Sequence, residues 1–166
     1  MLRLTGIAAL VLTVLLLVAA QVQSHSRLPL GAVVRGAVVS QPFGCTALAL
    51  EPVDPFCRGG HMHTGIDLAA PTGTEVHSAT GGVVRLGFDP NGAGLYVAVT
   101  LDSNVRLLYC HLSAAEVATG MTVVPGEVIG LVGATGRATG PHVHFEIQVD
   151  GSSVDPARWL SPSLEN

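Results

Sequence analysis

Apolar and polar residues alternate along this chain in short bursts, and turn residues separate the bursts. Gly82 to Phe88 alternates weakly. Leu95 to Leu101 and Val105 to His111 are two β-rich runs joined by Asp102-Ser103-Asn104. Thr122 to Val124, Glu127 to Val132 and Val143 to Val149 follow. A period of two puts successive side chains on opposite faces, so each run is predicted as a strand. The pair flanking Asp102 to Asn104 is predicted as a hairpin. Asp89-Pro90-Asn91-Gly92 and Asp150-Gly151 are turn signals. Ser113 to Thr119 breaks the pattern: Ser113 with Glu116 three residues on is a capping arrangement and predicts one helical turn. Trp159-Leu160 is expected to cover one end of the core. Many short strands with little helix predict an all-β fold, a mostly antiparallel sandwich or barrel.

The first part of the chain reads differently. Leu4 to Ala20 is an uncharged apolar run preceded by Arg3 and ending in the small residues Val18-Ala19-Ala20. This is the pattern of a cleaved signal peptide. An uncleaved membrane anchor is the alternative, since a run of about 17–20 apolar residues can just span a bilayer. Either way the chain is expected to be exported: secreted, periplasmic or cell-wall associated, with membrane contact only through that segment. Gln21 to Ser40 reads as a linker running into a first strand. A weak internal echo follows, because Pro71-Thr-Gly-Thr-Glu-Val and Pro125-Gly-Glu-Val-Ile-Gly each run on to an Ala-Thr-Gly.

Composition narrows the function. With 48% hydrophobic residues the chain can bury a core, and a net charge of −4 with no basic stripe excludes a nucleic-acid partner. Cys45 and Cys57 bracket a Pro- and Gly-rich loop running to Gly60, and in an oxidising compartment they are expected to pair. Closing so short a loop stabilises by about 2–3 kcal/mol in the chain-entropy model. Cys110, on the strand face opposite His111, reads as a small buried hydrophobe.

Five of the seven histidines fall in three short motifs: His61-Met62-His63-Thr64-Gly65-Ile66-Asp67, Tyr109-Cys110-His111-Leu112, and Gly136 to Ile147 with His142 and His144. On extended strands His63 and Asp67 share a face, with Gly65 leaving room between them. His142, His144 and Glu146 share another. Any one such histidine is most often structural. Three motifs aimed at one space suit a metal site with three protein ligands and an open position. His61 is an alternative ligand to His63. His25 and His77 are read as surface residues.

The runs H-T-G-I-D-L-A-A-P-T-G-T-E-V, Y-C-H-L-S and G-A-T-G-R-A-T-G-P-H-V-H-F-E-I resemble the lysostaphin/LytM family of zinc metallopeptidases, in the family's order and over about Gln41 to Pro156. The resemblance implies that His63, Asp67 and His144 ligate Zn2+, and that His111 and His142 are catalytic without binding the metal. Glu146 would orient an imidazole from behind. It also implies a duplicated antiparallel hybrid fold with an open groove, and peptide bonds of bacterial peptidoglycan as substrate. The division expected is residues 1–20 signal peptide or anchor, 21–40 linker and first strand, 41–160 metallopeptidase domain and 161–166 tail. Some family members use a tyrosine in the loop before the first ligand. Here the only tyrosines are Tyr96 and Tyr109, and the Cys45–Cys57 loop occupies that place. The competing function class is a non-catalytic wall-binding or hydrolase-regulating module on the same fold. Members of that kind lack some of these residues, whereas this chain has them all.

Overall fold

The computed structural model describes residues 27–161. The N-terminal segment Met1 to Ala20, His25 and the tail beyond Ser161 lie outside the described residues. No helix among the described residues is long and apolar enough to cross a membrane.

The strands are β1 (Val38–Gln41), β2 (Gly44–Thr46), β3 (His61–His63), β4 (Ile66–Ala69), β5 (Glu75–His77), β6 (Gly82–Asp89) and β7 (Gly94–Thr100). They continue with β8 (Val105–Leu112), β9 (Ala114–Ala115), β10 (Thr122–Val123), β11 (Val128–Leu131), β12 (His142–Val149) and β13 (Ser152–Val154). A 3-10 turn at Leu30–Ala32 precedes them, and a short helix α1 (Pro156–Leu160) follows. Asp155 caps α1, its carboxylate accepting from the Ala157 amide, with Pro156 at the first position, where a missing N–H costs nothing.

The large sheet has the order β1-β4-β12-β8-β7-β6-β10, with β13 paired to β12, and every pairing in it is antiparallel. It does not close: β1 and β10 are its two edges, so the fold is an open sheet and not a barrel. The predicted hairpin is present as β7–β8, and Asp150 (φ 51°) and Gly151 (φ 77°) make the tight turn between β12 and β13. β12 shows the period of two plainly. Val143, Phe145 and Ile147 are fully buried, while His142, His144 and Glu146 face the other way. Burying each such apolar side chain contributes about 1.5–3 kcal/mol.

A three-stranded sheet, β5-β11-β9, joins the same core through Val76 and Ile129. The two echoing segments meet here: Gly130 pairs with Val76 and Leu131 with Glu75. The repeat in sequence is therefore a pair of antiparallel partners in space.

Three expectations are corrected. Ser113 to Thr119 forms no helical turn. The Ser113 and Glu116 amides donate to the carbonyls of Leu131 and Ile129, and Ser113 Oγ donates to Val132 O. Pairing with β11 outcompetes local capping, and Ala114–Ala115 becomes β9. Second, the stretch read as a linker packs on the core through Leu28, Leu30, Val33 and Val34. Val33 and Val34 are buried, and the 3-10 turn is anchored by Leu28 N–H to Ala79 O and His77 N–H to Val33 O. Third, that same segment covers His77, which is 5% exposed and not a surface residue.

Candidate metal centre and its groove

Four strands adjacent in the sheet carry the site. In register across them stand Gln41 on β1, Asp67 on β4, His144 on β12 and Cys110 on β8. His63 joins from β3, which is tied to β2 through the Gly44–His63 pairing. His63 Nε2, Asp67 Oδ1 and His144 Nδ1 converge: the two nitrogens are 3.0 Å apart and lie 3.1 and 3.0 Å from the oxygen. Among the described residues these three form a group able to hold a metal ion. His61 stands outside it, since His61 Nδ1 donates to Glu51 O at 2.7 Å and so anchors the neighbouring loop.

The hydrogen bonds on the far side of each ring decide which nitrogen is bare. His63 Nδ1 meets Pro42 O at 2.8 Å. A carbonyl can only accept, so Nδ1 carries the proton and Nε2 turns a lone pair to the centre. His144 Nε2 faces Glu146 Oε2 at 3.6 Å, which leaves Nδ1 for the centre. Two lone pairs and a carboxylate oxygen within 3.1 Å of one another repel unless something positive is shared between them. Without a metal, a proton does this. Burial pulls the His144 imidazole down, but hydrogen bonds to Asp67 and Glu146 outweigh it and hold it at about 9. Burial likewise pushes Asp67 up, and its bonds to His144 and His63 outweigh that and hold it well below the usual carboxylate range. A divalent cation fits the same place. The separations are close to the roughly 3.3 Å between ligand atoms in a tetrahedral zinc site with bonds of about 2.0–2.1 Å, and two imidazoles with one carboxylate form a zinc donor set.

Glu146 is held as firmly as the residues it backs. Its carboxylate accepts from Thr64 Oγ1 at 3.0 Å, Gln148 Nε2 at 2.7 Å and Ser153 Oγ at 2.7 Å. Burial raises its carboxyl, and the His144, Gln148 and Ser153 hydrogen bonds overcome this to hold it at about 2. Gly65 makes room for the ring: a Cβ there would stand 2.5 Å from Phe145 O and 2.8 Å from His144 Nε2.

His111 and His142 complete the cluster beside the triad, with ring centroids 4.8 Å apart. His142 Nδ1 donates to Gly140 O and His111 Nδ1 to Thr135 O, both at 2.8 Å. Each therefore leaves Nε2 bare. His142 Nε2 lies 3.7 Å from Asp67 Oδ2. Burial lowers the His111 pKa below 6.5, with the nearby His142 and His144 adding to it and the Thr135 carbonyl opposing it.

His111 reaches this place through a β-bulge. Between the pairs Val97–Tyr109 and Leu95–Leu112, β7 has one intervening residue and β8 has two. The extra residue lets His111 take φ 63°, uncommon for a side chain other than glycine, and it reverses the alternation. Tyr109 and Leu112 both enter the core, while Leu108, Cys110 and His111 all line the groove. Cys110 is buried as expected, but on the same side as His111, not the opposite one. Burial, with Glu146 and Asp67 nearby, pushes its thiol up to about 12, so it stands as a neutral thiol.

The disulfide joins Cys45 to Cys57 and pins the loop that forms one wall through Leu48, Leu50, Glu51 and Pro52. Arg137 and Thr139 stand on the other wall, near Gly92 and Ala93. Tyr109 takes no part, since it is fully buried and its hydroxyl accepts from the Ala79 amide at 2.7 Å. All five predicted residues, His63, Asp67, His111, His142 and His144, are thus brought together, with Glu146 behind them. Sequence reasoning missed the carbonyls of Pro42, Thr135 and Gly140, which fix three of the imidazoles. Backbone acceptors leave no side-chain signature. It also assigned nothing to Arg137, although that residue lies inside the third motif.

The family model described as peptidase family M23 matches residues 61–156. The DD-carboxypeptidase/endopeptidase Mpg of Neisseria meningitidis is 41% identical over 127 residues, which is 76% of this chain and 28% of that protein. The chain thus spans about a quarter of the length of the curated relatives it matches. The catalytic domain of lysostaphin from Staphylococcus simulans superposes with a TM-score of 0.62 at 30% identity, covering 75% of this chain and 92% of that one. A zinc-containing peptidase from Vibrio cholerae gives 0.61 at 34% identity, over 73% of this chain and 36% of that one. The lysostaphin-type resemblance carried by the three motifs is borne out, and the chain belongs to peptidase family M23.

Proposed function

We propose that this chain is an exported zinc-dependent endopeptidase that hydrolyses peptide bonds in peptidoglycan cross-links or stem peptides. The observation that carries the reading is the convergence of His63 Nε2, Asp67 Oδ1 and His144 Nδ1, with the outward nitrogen of His63 bonded to Pro42 O and that of His144 facing Glu146 at 3.6 Å. Family membership supports it, and so do relatives named as peptidoglycan DD-endopeptidases in Vibrio cholerae. His63, Asp67 and His144 would hold the ion. A zinc ion there would supply water activation near neutral pH, at a pKa of about 7, and polarisation of the scissile carbonyl.

The remaining steps belong to the protein. His111 and His142 present bare Nε2 atoms on the same side of the triad, so either accepts a proton from water and returns it to the leaving amine. The partner, having taken a proton at Nε2 from bulk solvent while Nδ1 keeps its own, is an imidazolium that donates to the oxyanion and keeps that proton when the oxyanion collapses. The carbonyls of Thr135 and Gly140 keep Nδ1 protonated in both rings, so that Nε2 is the atom that takes up or carries the exchanging proton. Glu146, fixed by three hydrogen bonds, keeps the His144 ring from turning. Export is supported by the apolar run Leu4 to Ala20 and by the Cys45–Cys57 disulfide, a bond that persists in oxidising compartments.

The test is metal analysis of the purified chain combined with digestion of purified sacculi. About one zinc per chain is expected, with hydrolysis abolished by a chelator. His142→Ala should cut the rate by about 10²–10⁴-fold. Absence of zinc, or hydrolysis indifferent to both treatments, overturns the reading.

A further inference from the structure

We infer that Arg137 is a carboxylate receptor in the groove, so that the substrate is a peptide bearing a free carboxylate beside the bond to be cut. The inference rests on the peptidase reading above and names the substrate class. It comes from asking which charges in the groove are already committed. Four charged side chains other than histidine line it: Glu51, Asp67, Glu146 and Arg137. Asp67 is engaged by His63 and His144. Glu146 is satisfied by Thr64, Gln148 and Ser153. Glu51 accepts from Gln41 Nε2 at 3.2 Å. Of these four, Arg137 alone has no ion pair or side-chain hydrogen bond among the described residues.

Its placement is fixed even though its side chain is free. The Arg137 amide donates to Gly92 O at 2.8 Å. Gly136, at φ 69°, packs so closely on the Gly94 backbone that no Cβ would fit. The backbone that carries the guanidinium is therefore rigid, two residues beyond the Thr135 carbonyl that orients His111. A planar fork of donors with no protein acceptor selects a carboxylate, which it can bind through two parallel hydrogen bonds. The facing wall, with Leu48, Leu50, Glu51 and Pro52, has no cation to compete for it, and its one anion, Glu51, is engaged by Gln41. Stem peptides carry such carboxylates at chain ends and on branching residues, and conversion to a carboxamide removes the charge while keeping the shape.

The probe is muropeptide dimer released from sacculi, with its carboxyls left free or converted to carboxamides. Binding is measured by calorimetry on His142→Ala protein, so that turnover does not intervene. The free form is expected to bind about tenfold more tightly, the contribution of one charge-assisted pair at a partly exposed site. Arg137→Gln in the same background should erase that difference, and Arg137→Lys should keep part of it. Equal affinity for the two forms, a difference that survives Arg137→Gln, or no binding of either form overturns the inference. Cleavage of the free dimer by the unsubstituted protein is scored separately. Discrimination in binding without cleavage leaves the carboxylate site standing and removes the peptidase reading. Cleavage without discrimination does the reverse.

Discussion

At the scale of single residues, the site is governed by what stands behind each imidazole. Glu146 is the clearest case, because its three hydrogen bonds serve to hold one carboxylate against His144 Nε2. Glu146→Gln should therefore weaken metal binding by about 10–100-fold with the fold intact. Competition against a chromogenic chelator measures it, and unchanged affinity would remove the positioning role. His111 carries a pH prediction. Its folded pKa lies below the 6.5 of the free imidazole, so between those two values the unfolded chain binds more protons than the folded one. Stability contributed at His111 thus falls as pH drops from 6.5 toward the lowered folded value, and is unaffected above 6.5. Chemical denaturation of unsubstituted and His111→Gln protein at pH 7.5 and 5.5 should show the larger acid loss in the former.

At the scale of elements, the bulge in β8 decides whether His111 reaches the groove at all. Holding a non-glycine residue at φ 63° opposes folding, while the bulge keeps Leu112 in the core. His111→Gly should accordingly be more stable than His111→Ala by about 1 kcal/mol, although both lose the imidazole and its bond to Thr135. Equal melting temperatures for the two variants would mean that the backbone is unstrained there. The same bulge marks the limit of what could be read from sequence. The period of two located β6, β7, β8, β11 and β12, and motif spacing picked out the five residues that converge. Strict alternation then put Cys110 and His111 on opposite faces. No glycine at 110 or 111 announces the extra residue, so the reversal was invisible. Ser113 and Glu116 misled for a related reason: their capping pattern is local, and the β11 carbonyls that claim their amides come from residues 129 and 131. His77 and the segment around Val33 gave no sign of each other in the sequence, because the contact that joins them, His77 N–H to Val33 O, is a backbone one between residues far apart in the chain.

At the scale of the molecule, one groove wall is covalently pinned and the other is pinned by backbone packing. The Cys45–Cys57 bond closes the loop bearing Leu48 to Pro52, and Phe56 and Val53 stay exposed on it. A loop with so little buried apolar surface depends on its cross-link. Cys45→Ser/Cys57→Ser should lower stability by about 2–3 kcal/mol and raise KM for sacculus peptides more than it lowers kcat, because Asp67 and His144 stand on β4 and β12 and only His63 stands on β3, the partner of the strand that carries Cys45. Steady-state kinetics beside thermal melts check both parts. A loss confined to kcat would show that the loop acts on the chemistry and not on substrate contact.

The position of β12 between β4 and β8 has a consequence for timing. Asp67, His144 and Cys110 stand in one row only because β12 is inserted between two strands made much earlier in the chain. Until that insertion, His63 and Asp67 have neither His144 nor His142 beside them. A partly folded chain thus carries two of the three residues of the candidate metal group and neither histidine of the last motif. The side-chain atoms of His63, Asp67 and His144 thus come together only when the sheet is complete.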